Sequence, residues 1–228
     1  MQQCPICKKE VEKLTERFVC EECAAAQILF QQQWEGEAFN KAVESDPTDA
    51  YFKRAFAYFE KGDFNRAIKD FSELITLNSD EVEAYYNRGM AYHNKGDFDL
   101  AIGDFTELIR LTPDEADAYY NRGAAYYEKA DFDHAIIDFS EVIRLTPQDT
   151  GGYFHRGLSY RKKGEIDPAI KDFTEVIKLD PSYIHAYYSR GLAHKEKGDP
   201  DQAIKDFNDA LKIDPNHNPS KEALASLK

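Results

Sequence analysis

Laid against itself with a shift of 34 residues, the chain repeats one phrase five times without a gap. The phrase AYFKRAFAYFEKGDFNRAIKDF begins at Ala50, and its counterparts begin at Ala84, Ala118, Gly152 and Ala186. A fixed period of this size constrains the fold more than any single motif. One small supersecondary unit cannot bury its apolar face alone, so successive units must stack and share a continuous core. The blocks are set at 48–81, 82–115, 116–149, 150–183 and 184–217.

Within each block the apolar residues recur at helical spacing. In the second block, Tyr85, Tyr86, Gly89 and Tyr92 share one segment, and Ala101, Ile102, Phe105, Leu108 and Ile109 share another. Lys95-Gly96-Asp97 between them is a turn signal. Pro113 closes the second helix. Each block therefore reads as helix, short turn, helix. Gly89, Gly123, Gly157 and Gly191 let two helices approach closely, as do Ala67, Ala101, Ala135, Ala169 and Ala203 on the second helix.

In length and signature these blocks resemble the tetratricopeptide repeat (TPR). Tyr85, Gly89, Tyr92, Ala101, Phe105 and Pro113 fill the family's pattern in order, and the resemblance covers residues 48–217. Departures are Ala55 for glycine, His194 for the second aromatic and Ser79 for proline. The resemblance implies an all-α fold: a right-handed superhelical solenoid of five helix hairpins whose concave face is formed mainly by first helices. Residues 24–47 are expected to cap its N-terminal end, with Trp34 or Phe39 buried. Residues 218–228 are expected to cap the other end, with Ser220 capping a short helix that carries Ala223, Leu224 and Leu227.

Two charged positions recur in all five blocks. Arg54, Arg88, Arg122, Arg156 and Arg190 stand where the family usually has an apolar residue, and Asp70, Asp104, Asp138, Asp172 and Asp206 each follow sixteen residues later. Equal numbers at fixed spacing predict a ladder of ion pairs, each Asp near the Arg of its own or the following repeat. A role for these arginines in binding an acidic partner is the competing reading.

The resemblance also predicts a peptide-binding groove. One recurrent groove position is aromatic throughout: Phe52, Tyr86, Tyr120, Phe154 and Tyr188. Aromatics at helical spacing serve a core as readily as a ligand. At the next position, Asn87 and Asn121 match relatives in which asparagine holds an extended peptide backbone, since an amide both donates and accepts. His155 occupies that position in the fourth block. Further along, Arg161, Lys162 and Lys195 predict a basic end suited to a carboxylate or acidic segment. The carboxylate clamp of chaperone-binding relatives is missing, because Phe52, Phe56 and Asp117 replace its basic and amide residues. The six histidines fall at unrelated repeat positions and read as surface variation.

All four cysteines lie in the first 23 residues, as Cys4-x-x-Cys7 and Cys20-x-x-Cys23. Four soft thiolates in two knuckles suit a closed tetrahedral metal site and resemble a zinc ribbon. A structural Zn2+ is expected in this head (1–23), and iron also suits sulfur ligands. Cysteines so confined point to a reducing, cytoplasmic setting. The net charge of −13 argues against nucleic-acid binding, although a nucleic-acid-associated factor acting through the zinc head is the alternative reading. No apolar run is long enough for a membrane span, and no nucleophile–base pair or phosphate loop suggests an enzyme. The function expected is a protein-interaction scaffold that binds a peptide or protein partner; self-association is left open.

Overall fold

The computed structural model describes Gln2–Gln3, Glu10–Val11 and residues 37–227. The four cysteines and Trp34 lie outside the described residues. Gln2–Gln3 (β1) and Glu10–Val11 (β2) pair antiparallel, with Gln2 opposite Val11 and Gln3 opposite Glu10. Every other regular element among the described residues is a helix. The chain forms two compact units, residues 1–95 and 96–228, which divide at the turn inside the second repeat.

The first unit contains α1 (Glu37–Ser45), α2 (Pro47–Glu60), α3 (Phe64–Leu77) and α4 (Val82–Lys95). Asp46 accepts a hydrogen bond from the Asp49 amide and caps α2, and Pro47 sits in its first turn. Pro47 thus opens a repeat helix rather than closing the capping segment as the sequence suggested. Its fixed φ suits the first turn, where an amide hydrogen would lack a partner anyway. Asp63 caps α3 through the Arg66 amide. The core of this unit is Ala55, Tyr58, Ala67, Phe71, Leu74 and Ala84. Phe39 of α1 is buried with Ala50, so α1 covers the exposed flank of the first hairpin.

The second unit contains α5 (Phe98–Leu111), α6 (Ala116–Glu128), α7 (Phe132–Leu145), α8 (Thr150–Lys163), α9 (Ile166–Leu179), α10 (Ile184–Lys197), α11 (Pro200–Ile213) and α12 (Asn218–Ala225). Phe105, Phe139, Phe173 and Phe207 are fully buried at the same position of successive second helices. The small residues facing them are sterically required: a Cβ on Gly157 would stand 2.8 Å from the Phe173 ring, and one on Gly191 2.6 Å from the Phe207 ring.

The helix–helix turns need a left-handed residue. Gly62, Gly96, Gly164 and Gly198 supply it at φ between 75° and 85°, but the third repeat places Ala130 there at φ 60°. A Cβ in that conformation is crowded by the backbone, at a cost of about 1–2 kcal/mol.

At the C-terminal end, α12 starts at Asn218 with His217 as its flanking residue. Ser220 is not the cap. It lies inside the helix, fully buried, with its Oγ 2.8 Å from His217 Nδ1. Pro219, favoured in a first turn, sets the start three residues earlier than a serine cap would. Ala223 is buried against Ala203 and Phe207, with Leu224 and Leu227 alongside.

Candidate peptide-binding face

The recurrent arginines are architectural. Arg54 donates from Nε and Nη2 to both oxygens of Asp70 at 2.7 Å. Arg122 does the same to Asp138, Arg156 to Asp172 and Arg190 to Asp206, at 2.7–2.9 Å. The carboxylates are buried and the guanidinium groups mostly so. Hydrogen bonds donated to Asp138 and Asp172 hold Arg122 and Arg156 above the ordinary guanidinium pKa.

The third nitrogen reaches into the preceding repeat. Arg88 Nη1 donates to Ser72 Oγ at 3.0 Å, Arg122 to Thr106 at 3.2 Å, Arg156 to Ser140 at 3.1 Å and Arg190 to Thr174 at 3.0 Å. Each hydroxyl spends its own proton on the carbonyl four residues back, which leaves its oxygen free to accept. These hydroxyls recur every 34 residues, a pattern that alternating Ser and Thr hides in the sequence. Arg54 has no preceding repeat, and the Phe39 ring lies 3.3 Å from its guanidinium carbon instead. With all three nitrogens of Arg122, Arg156 and Arg190 engaged within the stack, these arginines belong to stacking and not to an acidic partner.

The opposite face of the first helices carries the predicted site residues. In the first unit, Phe52 is half-buried. It packs edge-on against Phe71 and stacks beside exposed Phe56, with ring centroids 6.3 and 6.4 Å apart. Tyr86 is half-buried on α4, and Asn87 Nδ2 donates to the Glu83 carbonyl at 2.7 Å.

In the second unit the aromatic position follows one rule. Tyr120, Phe154 and Tyr188 each lean on the buried phenylalanine of their own second helix, Phe139, Phe173 and Phe207, at 5.7–5.9 Å. All three remain half-buried. They are core on one side and surface on the other. The adjacent polar position also follows a rule: Asn121 Nδ2 donates to the Asp117 carbonyl at 2.8 Å, and His155 Nδ1 lies 3.1 Å from the Gly151 carbonyl. Each side chain is thereby locked against its own helix. For the asparagines, one amide hydrogen and the side-chain oxygen remain available.

The basic residues are less free than their sequence suggested. Arg161 is mostly buried, 3.5 Å from Glu196, and Lys195 Nζ donates to Ser226 Oγ at 2.8 Å. Lys162 is exposed.

The histidines are not all surface variation. His155 is wedged among Tyr120, Phe139 and Phe154, with ring centroids 5.2–5.6 Å away, and burial lowers its pKa. His194 occupies the second-aromatic position of its repeat. Its pKa is also lowered by burial, and its Nδ1 is buried without a hydrogen-bond partner. His217 packs edge-on against Tyr188 at 5.5 Å.

A TPR repeat model matches residues 55–96, 90–130 and 157–198, and a second tetratricopeptide repeat model matches 116–149 and 185–217. The chain belongs to the tetratricopeptide repeat family. Among solved structures, a crystal structure of MamA is 30% identical; the match covers 72% of this chain and 96% of that one with a TM-score of 0.68. YrrB, described as a TPR protein with an unusual peptide-binding site, is 25% identical over 82% of this chain and 97% of its own, with a TM-score of 0.70. A MamA segment from Desulfovibrio magneticus RS-1, at 22% identity and a TM-score of 0.72, shares the fold over 76% of this chain and 98% of its own. None of the curated proteins matches the chain. No helix among the described residues is long and apolar enough to cross a membrane.

Proposed function

We propose that this TPR protein is a non-enzymatic scaffold that binds an extended peptide or a protein segment along the first-helix face. The observation that carries this reading is the repeated pair at Tyr120/Asn121, Phe154/His155 and Tyr188. Each ring is anchored on a buried phenylalanine yet half open. Such a row presents rigid apolar area at little entropic cost. The polar side chains beside the first two rings are already ordered, so a partner need not order them. The family membership and the peptide-binding site ascribed to YrrB favour binding over catalysis. Lys162, with Arg161 beside it and Lys195 at the position of Arg161 in the next repeat, is assigned to the carboxylate-facing end.

We also assign a structural Zn2+ to Cys4, Cys7, Cys20 and Cys23. The support is the paired CxxC spacing and the antiparallel β1–β2 pairing on either side of the first knuckle. Metal analysis of the whole chain against Cys→Ser variants tests this assignment.

For the face, peptides selected from a random library on the wild-type chain should bind the double variant Tyr120→Ala/Asn121→Ala at least tenfold more weakly. Circular dichroism checks that the variant keeps its helix content. Undiminished affinity in a well-folded variant would remove this face as the binding site.

A further inference from the structure

Beside Tyr120 the repeat pattern breaks. The position four residues before the locked polar side chain is Asp49, Glu83 and Asp117 in the first three blocks, but Gly151 in the fourth. That loss opens a pocket of about 360 Å³ between α6, α7 and the start of α8. Buried Val142 and the Tyr120 ring line it, and Ala116 and Gly151 contribute little bulk. A Cβ at Gly151 would already stand 3.4 Å from the Tyr120 ring and 3.3 Å from Asp149 Oδ1, so any longer side chain there would intrude on the pocket.

Thr146, Asp117 and Asp149 complete the lining, and both aspartates are exposed. Asp149 Oδ1 accepts the Gly151 amide hydrogen at 2.9 Å, which fixes the carboxylate at the start of α8. Neither Asp117 nor Asp149 forms an ion pair among the described residues. The block that supplies most of this pocket, 116–149, holds Arg122, Lys129 and Arg144 against seven acidic residues. Arg122 is turned inward onto Asp138, Lys129 pairs with Asp99, and Arg144 pairs with Glu141. His155 borders Tyr120, and burial favours its neutral form.

We infer that this pocket receives the cationic side chain of a bound peptide, arginine or lysine, between the Tyr120 ring and the Asp117 and Asp149 carboxylates. The inference rests on the peptide-binding reading above and names the chemistry of one contact within it. An aromatic wall and two carboxylates suit a guanidinium in particular, which stacks on a ring while its edge donates hydrogen bonds. The partner segment is therefore basic where it crosses the junction of the third and fourth repeats. A carboxylate at that point would face two like charges.

The test uses N-acetyl-arginine amide as the probe, because it examines the pocket without requiring any peptide to bind. Titrated into the full chain, it should shift the amide resonances of Asp117, Tyr120 and Gly151 in a saturable manner. N-acetyl-glutamate amide should not. Asp117→Asn/Asp149→Asn should abolish the shifts; asparagine also caps helices, so the fold is retained. Should the double variant nevertheless melt early, Gly151→Gln in the wild-type background provides a second variant, which fills the pocket and leaves both carboxylates. No shifts, shifts spread over the acidic surface, or shifts unchanged in a folded variant would each overturn the inference. The library experiment reports separately on the face: peptides sensitive to Tyr120→Ala/Asn121→Ala but without arginine or lysine enrichment would uphold the face and refute the pocket.

Discussion

The two faces of the first helices obey different rules. On the stacking face, Arg122, Arg156 and Arg190 each grip an aspartate sixteen residues ahead and a hydroxyl sixteen residues behind. Each also lies over the tyrosine three residues back, at 5.8–5.9 Å. On the other face the corresponding positions read Asn121, His155 and Ser189, then Tyr127, Arg161 and Lys195. A residue clamped between two helix pairs must satisfy the same geometry in every repeat. The second set meets different neighbours in each repeat: His155 packs on Tyr120 and Phe139, Arg161 pairs with Glu196, and Lys195 bonds to Ser226. Repetition of side-chain chemistry therefore marks contacts within the stack, the buried side of the Tyr120, Phe154 and Tyr188 row included, and departure from it beside that row marks the surface where partners are distinguished.

The sharpest way to break that comparison is to remove one member of a clamp. Asp172→Ala leaves the mostly buried Arg156 guanidinium without its carboxylate and should cost about 3 kcal/mol. Asn121→Ala, on the variable face, should cost under about 0.5 kcal/mol. Urea denaturation followed by circular dichroism measures both. Equal losses would mean that the two faces do not differ in structural importance.

A smaller effect separates repeats on the same face. Gly191→Ala brings a methyl group to 2.6 Å from Phe207, whose fully buried ring has little room to retreat, and should destabilise by about 2 kcal/mol. Gly123→Ala, whose Cβ would meet its neighbours at 3.1 Å, should cost less. Ala55 shows that the first repeat tolerates a methyl group at this position, fully buried in its core. Thermal melts of the two alanine variants rank the tightness of the third and fifth hairpins; the reverse order would refute it.

Ala130→Gly acts in the opposite direction. Glycine relieves the left-handed strain that its counterparts Gly62, Gly164 and Gly198 avoid, and should stabilise by about 1 kcal/mol. An unchanged or lower Tm would mean that the Ala130 turn relaxes without strain.

The repeats were legible because helical periodicity and small residues at fixed spacing follow directly from stacking. The Arg–Asp ladder was legible for the same reason, as two charges at constant separation. Its third partner was not: Ser72, Thr106, Ser140 and Thr174 differ in name while sharing one hydroxyl, and identity hides what chemistry preserves. The variable face could be read only in part. The sequence placed Asn121 and His155 at one position, but not their common bond to the carbonyl four residues back. It gave Arg161 and Lys195 as free charges, whereas Glu196 and Ser226 engage them through contacts that no local pattern encodes. No local pattern marks Gly151, whose missing side chain leaves a pocket beside Tyr120.

His155 gives the smallest expected effect and the finest test of the two faces. Burial among aromatic rings lowers its pKa below the ordinary 6.5, against the upward pull of the Gly151 carbonyl and Asp149. The unfolded chain takes up a proton as pH falls through about 6.5, whereas the folded chain resists it. The stabilising contribution is therefore present above that pH and is lost as pH falls toward the lowered value. His194, also lowered by burial, adds to the same trend. Asparagine already serves the His155 position in two other repeats, with the same bond to the carbonyl four residues back. His155→Asn should thus fold normally and reduce, without abolishing, the drop in Tm between pH 7.5 and pH 5.5. An equal drop in the variant would show that the proton is taken up elsewhere, and that this side chain is interchangeable with asparagine in charge as well as in geometry.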